Sequence, residues 1–371
     1  MRRRKFIILG GTAVVIAGVT YYLSSDKTNA VRPVHHEATT GTPPLTKAER
    51  EILYLASLAP SGHNTQPWLV KYIEPFHWVI CNDKTKWLSA VDPTQRETIL
   101  SIGAFLQNLE YAAKFYGFQY SSMQLALTNQ DEEIVDVTLT KAPTAANLTI
   151  DAIKLRRTVR SGYQSEALKK EDLSYLIENE ADFIHYIPND SKEHRWLNEQ
   201  TIEANRLQSY RDDAQGELAD WIRFSSEDAR THADGLTLAG MEIDGIPAWI
   251  LRNFYKKADI MKNKFREQSI DKVAKQVKQS AGWLIISSND YTVKNLLETG
   301  QRMQRLFLKV RSKNIAIHPM TQIIEEPSTN KALSASIGVQ QPIQFILRTG
   351  YITDYPAPVT LRRSVNRFLI T

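Results

Sequence analysis

The sequence predicts an α+β chain that runs through one plan twice, and three observations lead to that class. From residue 45 to about 140 the signals read helix, two strands, long helix, two strands. A later stretch then aligns on this one without a gap. Gly103-Ala-Phe-Leu-Gln107-Asn-Leu109 falls on Gly300-Gln-Arg-Met-Gln304-Arg-Leu306, an offset of 197 residues. The flanking patterns keep the same order: "HWVICND" matches "GWLIISSND" before the helix, and "EIVDVTLT" matches "IQFILRTGY" after it. A shared order of matches points to an internal duplication, with two central, mostly antiparallel sheets flanked by long helices.

Each element has a local reason. Thr46 and Glu49 form a capping box, and Leu53, Leu55, Ala56 and Leu58 give the helix that follows its buried face, up to Pro60. Strands are expected at about 68–73 and 76–82. Asp92-Pro93 reads as the cap and first turn of the long helix. That helix should end near Gly117, which falls at the repeat offset on Asn314, both suited to a left-handed cap. Strands at about 119–126 and 134–140 complete the first half. The first half is placed at 45–148 and the second at 149–371. A helical stretch at about 190–276, containing Asp234-Gly235 and a basic run from Lys256 to Lys264, has no counterpart in the first half. It reads either as a cover over a cleft or as a scaffold that widens the core.

Composition narrows the function classes. The chain has 371 residues, 42% hydrophobic and 23% charged, and a net charge of +5. Arg2, Arg3, Arg4 and Lys5 supply four of those charges, so no basic stripe for nucleic acid is expected on the folded body. Cys81 is the sole cysteine, which excludes an internal disulfide and a multi-cysteine zinc site. No H-E-x-x-H segment occurs, and no metal is expected.

Residues 1–30 read as a signal or membrane anchor, and residues 31–44 as a linker. A basic start is followed by an apolar run from Ile7 to Leu23, and Arg3-Arg4-Lys5-Phe6-Ile7 resembles a twin-arginine export signal. The expected location is the periplasm or the outer face of the cytoplasmic membrane, with membrane contact through residues 7–23.

Three polar clusters are candidates for chemistry. "APSGHNTQPW", residues 59–68, places Ser61, His63, Asn64, Thr65 and Gln66 in one loop, more hydrogen-bonding capacity than a turn requires. The carboxamides of Asn64 and Gln66 offer planar donors and acceptors that match a flat heterocycle, and Ser61 suits a hydroxyl. A loop satisfied by its own protein is the alternative. "KLRRTVRSGY" brings Arg156, Arg157, Thr158 and Arg160 together, a set suited to phosphate or to a solvated helix end. "PAPVTLRRSVNRF" adds Arg362, Arg363 and Arg367, again without acidic neighbours in the sequence, which calls for an anion.

Ser61-Gly-His-Asn64-Thr-Gln66-Pro67-Trp68 resembles the P-S-x-x-N-x-Q-P-W loop of the nitroreductase family, and Arg156-Arg157-Thr158-Val159-Arg160 resembles that family's R-R-[ST]-x-R segment. In that family FMN lies between two identical subunits, one giving the loop and the other the arginine segment. Here each motif occurs once, so the resemblance implies a fused pseudo-dimer, a monomer with one FMN site. With "DPTQRE", "ELADWIR" and "LRRSV", the layout is similar to the Acg-type subfamily over residues 45–371.

The resemblance implies that Ser61, Asn64 and Gln66 contact flavin or ribityl. It gives phosphate and ribityl to Arg156, Arg157, Thr158 and Arg160, with Arg362 and Arg363 adding phosphate contacts. No side chain is implied as a catalytic nucleophile. The implied activity is ping-pong reduction of nitroaromatic or quinone-like acceptors, small aromatic molecules. A non-catalytic protein that sequesters FMN is the alternative. The family's acidic residue and glycine beside the flavin are missing from "IAIHPMTQ", residues 315–322.

Overall fold

The computed structural model describes residues 45–143 and 150–371. The signal, the linker and the junction at 144–149 lie outside the described residues. In the first half, helix α1 (Lys47–Ser57) precedes strands β1 (Trp68–Glu74) and β2 (His77–Asn82). Helix α2 (Arg96–Phe115) and strands β3 (Phe118–Gln124) and β4 (Glu133–Lys141) follow. Helices α3 (Ile150–Leu155) and α4 (Lys170–Ile177) lead to β5 (Ile184–Pro188).

The helical stretch then comprises α5 (Lys192–Tyr210), α6 (Asp212–Trp221), α7 (Ser226–His232), α8 (Gly245–Phe254), α9 (Lys257–Ile260) and α10 (Asn263–Val277). Two short strands, β6 (Ile222–Arg223) and β7 (Leu236–Thr237), lie within it. The second half resumes with β8 (Gly282–Ser287), α11 (Val293–Val310), β9 (Ile315–Pro319), three short helices between 322 and 337, β10 (Ile343–Tyr351) and β11 (Leu369–Ile370).

Both sheets follow one order. The first runs β11-β1-β2-β4-β3 and the second β5-β8-β10-β9. Without β11, each places its first, second, fourth and third strands side by side, all antiparallel. In the first half, β1 and β2 are joined by Pro75-Phe76 alone. At the same point of the second half, between β5 and β8, sits the whole helical stretch. Two pairs, β1–β11 and β6–β7, are parallel and have no signal in the sequence. Strands of two residues carry too little alternation to read.

The two halves share one core. Phe105, Leu106 and Leu109 of α2 are buried with Met303, Leu306 and Phe307 of α11, and Val365 and Phe368 of the C-terminal segment join them. Polar contacts across the helix pair are reciprocal. Gln304 Nε2 donates to Asn108 Oδ1 at 2.7 Å, and Arg305 Nη1 donates to Gln107 Oε1 at 2.7 Å. Shifted by the repeat offset, Gln107 becomes Gln304 and Asn108 becomes Arg305. The second contact is therefore the first with the helices exchanged.

Local signals explain most boundaries. Both bonds of the Thr46–Glu49 capping box form. Gly117 (φ 79°) and Asn314 (φ 51°) take the left-handed conformation expected of them. The start of α2 is corrected: it begins at Arg96, because Gln95 (φ 56°) breaks the backbone first. Asp92 still caps it, accepting from Arg96 N at 2.9 Å and Glu97 N at 2.7 Å.

Candidate functional site

The loop after α1 is bent hard. His63, Asn64 and Gln66 have φ of 46°, 57° and 57°, a conformation that costs a non-glycine residue roughly 1–3 kcal/mol and persists only where surroundings impose it. Those surroundings are identifiable. Gln66 N donates to Ser61 Oγ at 2.9 Å. Asn64 Nδ2 donates to Gly235 O at 3.1 Å and Leu361 O at 3.3 Å, while its Oδ1 accepts from Arg362 Nη1 at 2.6 Å. Gln66 Nε2 donates to Ala233 O at 2.9 Å, and its Oε1 accepts from Arg363 N at 2.9 Å.

The loop therefore seats two remote segments: residues 233–240 of the helical stretch and the C-terminal residues 359–363. Asp234 secures the first, since Arg223 Nη2 and Lys86 Nζ reach its carboxylate at 2.6 and 2.7 Å. Gly235 (φ +76°) has no room for a side chain, because a Cβ there would lie 2.5 Å from Trp221 O.

A cavity opens where these segments meet the residues after α3. Ser61, His63, Asn64, Arg156, Arg157, Thr158, Arg160 and Arg362 line it, with Gly235, Leu236, Thr237 and Gly240 as its cover. Most of the sequence candidates thus converge from three distant stretches. Among the described residues, four that bear a guanidinium and no carboxylate line the wall, so its electrostatics favour an anion.

Arg160 is held in place, donating from Nε to Gly240 O at 3.2 Å and from N to Glu242 Oε1 at 3.0 Å, with Nη1 2.5 Å from His318 Nε2. Burial, then the Arg160 charge, pushes His63 down to about 4. Burial, then Arg160, Arg348 and Lys272, pushes His318 well below its ordinary value. Both rings are neutral at pH 7. His318, accepting at Nε2, carries its proton on Nδ1. Among the described residues, that atom and His63 Nδ1 are buried without a hydrogen-bond partner, a pattern that asks for a polar ligand or water.

Several of these side chains have partners within the protein. Gln66 and Arg363 do not line the cavity. Arg363 donates to Asp83 Oδ2 at 3.1 Å, to Trp68 O at 2.8 Å and to Gln66 O, fastening the C-terminal segment to the first sheet. Arg362 lines the wall, but its five N–H groups go to Ser57 O, Leu58 O, Ala59 O, Asn64 Oδ1 and Leu361 O. Three of those are carbonyls at and just beyond the C-terminus of α1, which lack helical partners and attract a cation. These arginines also have acidic neighbours after all: Arg157 pairs with Glu242 at 3.3 Å and Arg363 with Asp83 at 3.1 Å. Such partners are contributed across the fold, so local sequence could not reveal them. Glu242 and His318 hold Arg160 without lining the cavity, and the sequence gives no sign of either, whereas Asp234-Gly235 marks the turn of the cover.

The donor set fits the phosphate and ribityl end of FMN: Thr158 and Ser61 offer hydroxyls, Arg157 and Arg160 charge, His63 an unmatched ring nitrogen. The ring end does not fit the space as it stands. The cavity encloses about 80 Å³, room for a few waters, whereas cofactor pockets run to about 300–1,000 Å³.

No protein-family model matches the chain. It is 24% identical over 327 residues, 85% of this chain and 93% of the relative, to a Mycobacterium tuberculosis protein provisionally named NAD(P)H nitroreductase acg. It is 23% identical over 343 residues, 88% of this chain and 94% of the relative, to a Serratia sp. protein provisionally named NAD(P)H nitroreductase PigM. A solved structure described as a nitroreductase from Anabaena variabilis, itself a provisional description, overlaps 90% of this chain and 96% of that one, at 11% identity and a TM-score of 0.40.

Proposed function

We propose that the chain is an FMN-dependent oxidoreductase of the nitroreductase type, folded as a single-chain pseudo-dimer with one cofactor site. The observation that carries this reading is the meeting of the loop at 59–68 with the arginine segment at 156–160 on one cationic cavity. Names given to relatives at 23–24% identity point the same way. Two sheets of one strand order, with reciprocal contacts across the central helices, support a duplicated ancestor.

Bound FMN would supply two-electron chemistry, taking a hydride from a donor and returning electrons to a nitroaromatic or quinone-like acceptor. Arg156, Arg157, Arg160 and Thr158 would hold the phosphate and ribityl, with Ser61 at a hydroxyl. Asn64 and Gln66 would turn to the ring only by releasing Gly235 and Ala233, so the cover and the cofactor compete for the same carboxamides. Arg362 and Arg363 would position the loop. The neutral His63 ring could accept or donate one hydrogen bond without adding charge.

Export or anchoring by residues 1–30 remains part of the proposal. A second reading, FMN held without turnover, is favoured by one observation: residues 233–240 leave little space over the site. Absorbance of the purified full chain, before and after anaerobic NADPH, separates the readings. A flavin spectrum that bleaches supports the oxidoreductase, a persistent one supports retention, and no flavin after reconstitution with FMN overturns both.

A further inference from the structure

Helix α8, "GIPAWILRNF", carries three large apolar side chains on its exposed face, more than any other helix of the covering stretch. Ala248 is its one buried residue. Ile246, Ile250 and Phe254, spaced four apart, form one face and are 68%, 40% and 66% exposed. Trp249 sets its ring edge against Phe254, with centroids 5.4 Å apart. An apolar ridge of this kind on an otherwise polar surface marks a contact site.

Its surroundings identify the occupant. From Asp244 to Lys264 the chain carries Arg252, Lys256, Lys257, Lys262 and Lys264 against Asp244 and Asp259. Lys256, Lys262 and Lys264 are exposed beyond the helix's C-terminal end. Aliphatic and aromatic side chains on one face with a basic rim fit the boundary between acyl chains and anionic headgroups. Ile7 to Leu23 is a second apolar stretch of the same chain.

We infer that α8 docks on an anionic bilayer, with Ile246, Ile250 and Phe254 in the acyl boundary and the lysines at the headgroups. This rests on the anchoring reading of residues 7–23 given above. Because α8 begins three residues after Glu242, which Arg157 and Arg160 hold, docking places the cover of the cavity beside lipid.

The test uses the full chain carrying Ile250→Cys labelled with an environment-sensitive fluorophore. Cys81 is buried, and burial raises its thiol to about 11, so labelling is selective. Leu127→Cys, in the exposed β3–β4 connection, is the control. The expected result is flotation with phosphatidylcholine–phosphatidylglycerol vesicles and a blue shift at position 250 but not 127. That shift should be smaller on phosphatidylcholine alone and lost with Lys256→Glu and Lys264→Glu together. A chain that floats while position 250 stays aqueous overturns the docking and leaves the anchor standing. A chain that does not float overturns both. A probe already shielded before vesicles are added overturns the docking in favour of a second copy or of residues 7–23 as the cover.

Discussion

Gly103 and Gly300 face each other across the crossing of α2 and α11. A Cβ on Gly103 would lie 2.2 Å from Leu297 O, and one on Gly300 would lie 2.0 Å from Leu100 O. The same offset relates the two glycines and the two leucines, so each helix makes room for the other at the matching turn. Either Gly→Ala change forces the helices apart. We expect a loss of about 1–3 kcal/mol, the usual range for overpacking, measured as a lower urea midpoint with both sheets losing structure together. Independent unfolding of one half would contradict the shared core.

Asn64→Ala removes a carboxamide that satisfies Gly235 O, Leu361 O and an Arg362 N–H. The buried groups left behind should lower stability by roughly 1–3 kcal/mol. Flavin content after reconstitution should fall as well. Unchanged flavin content beside lost stability would mean that Asn64 serves the cover alone.

Gly235→Ala introduces both a strained φ and a contact with Trp221 O. Limited proteolysis should then cut more readily at 233–243, and FMN should exchange faster. If the cover also restricts acceptors, turnover with a quinone should rise although the global stability falls.

Stability should decline as pH rises above the ordinary carboxylate range. Burial, followed by the neighbouring Glu325, pushes Glu97 up to about 8, against the opposing Arg96. Burial, followed by Glu97, raises Asp92 to about 6. Both groups bind protons more tightly folded than unfolded, so their contribution is complete below the unfolded value and is lost as pH climbs through the folded one. Glu97→Gln, which mimics the protonated form, should flatten the fall in urea midpoint between about pH 5 and about pH 8. An unchanged slope would place the titration elsewhere.

What the sequence disclosed follows the range of the interactions. Thr46 with Glu49, Gly117 and Asn314 are local devices, and each appears where its chemistry predicts. The 197-residue offset was legible because packing at Gly103 and Gly300 demands the same residue in both helices. Gln66 and Arg363 look like ligand contacts in sequence, because a carboxamide or guanidinium is the same there whether its partner is a cofactor or a carbonyl such as Ala233 O. Glu242 and His318 gave no signal, since their meeting with Arg160 is made only by folding.

Strand β11 has a consequence for the order of assembly during synthesis. Leu369 and Ile370 pair with Val70 and Lys71 of the first strand, and Arg362 holds the loop that precedes it. The first strand of the fold to leave the ribosome therefore cannot complete its pairing until Leu369 and Ile370 have been made. Until then β1 presents an unpaired edge, open to wrong partners. A truncation of only a few C-terminal residues would lengthen that exposure indefinitely, while removing almost nothing from the second half to which those residues belong in sequence.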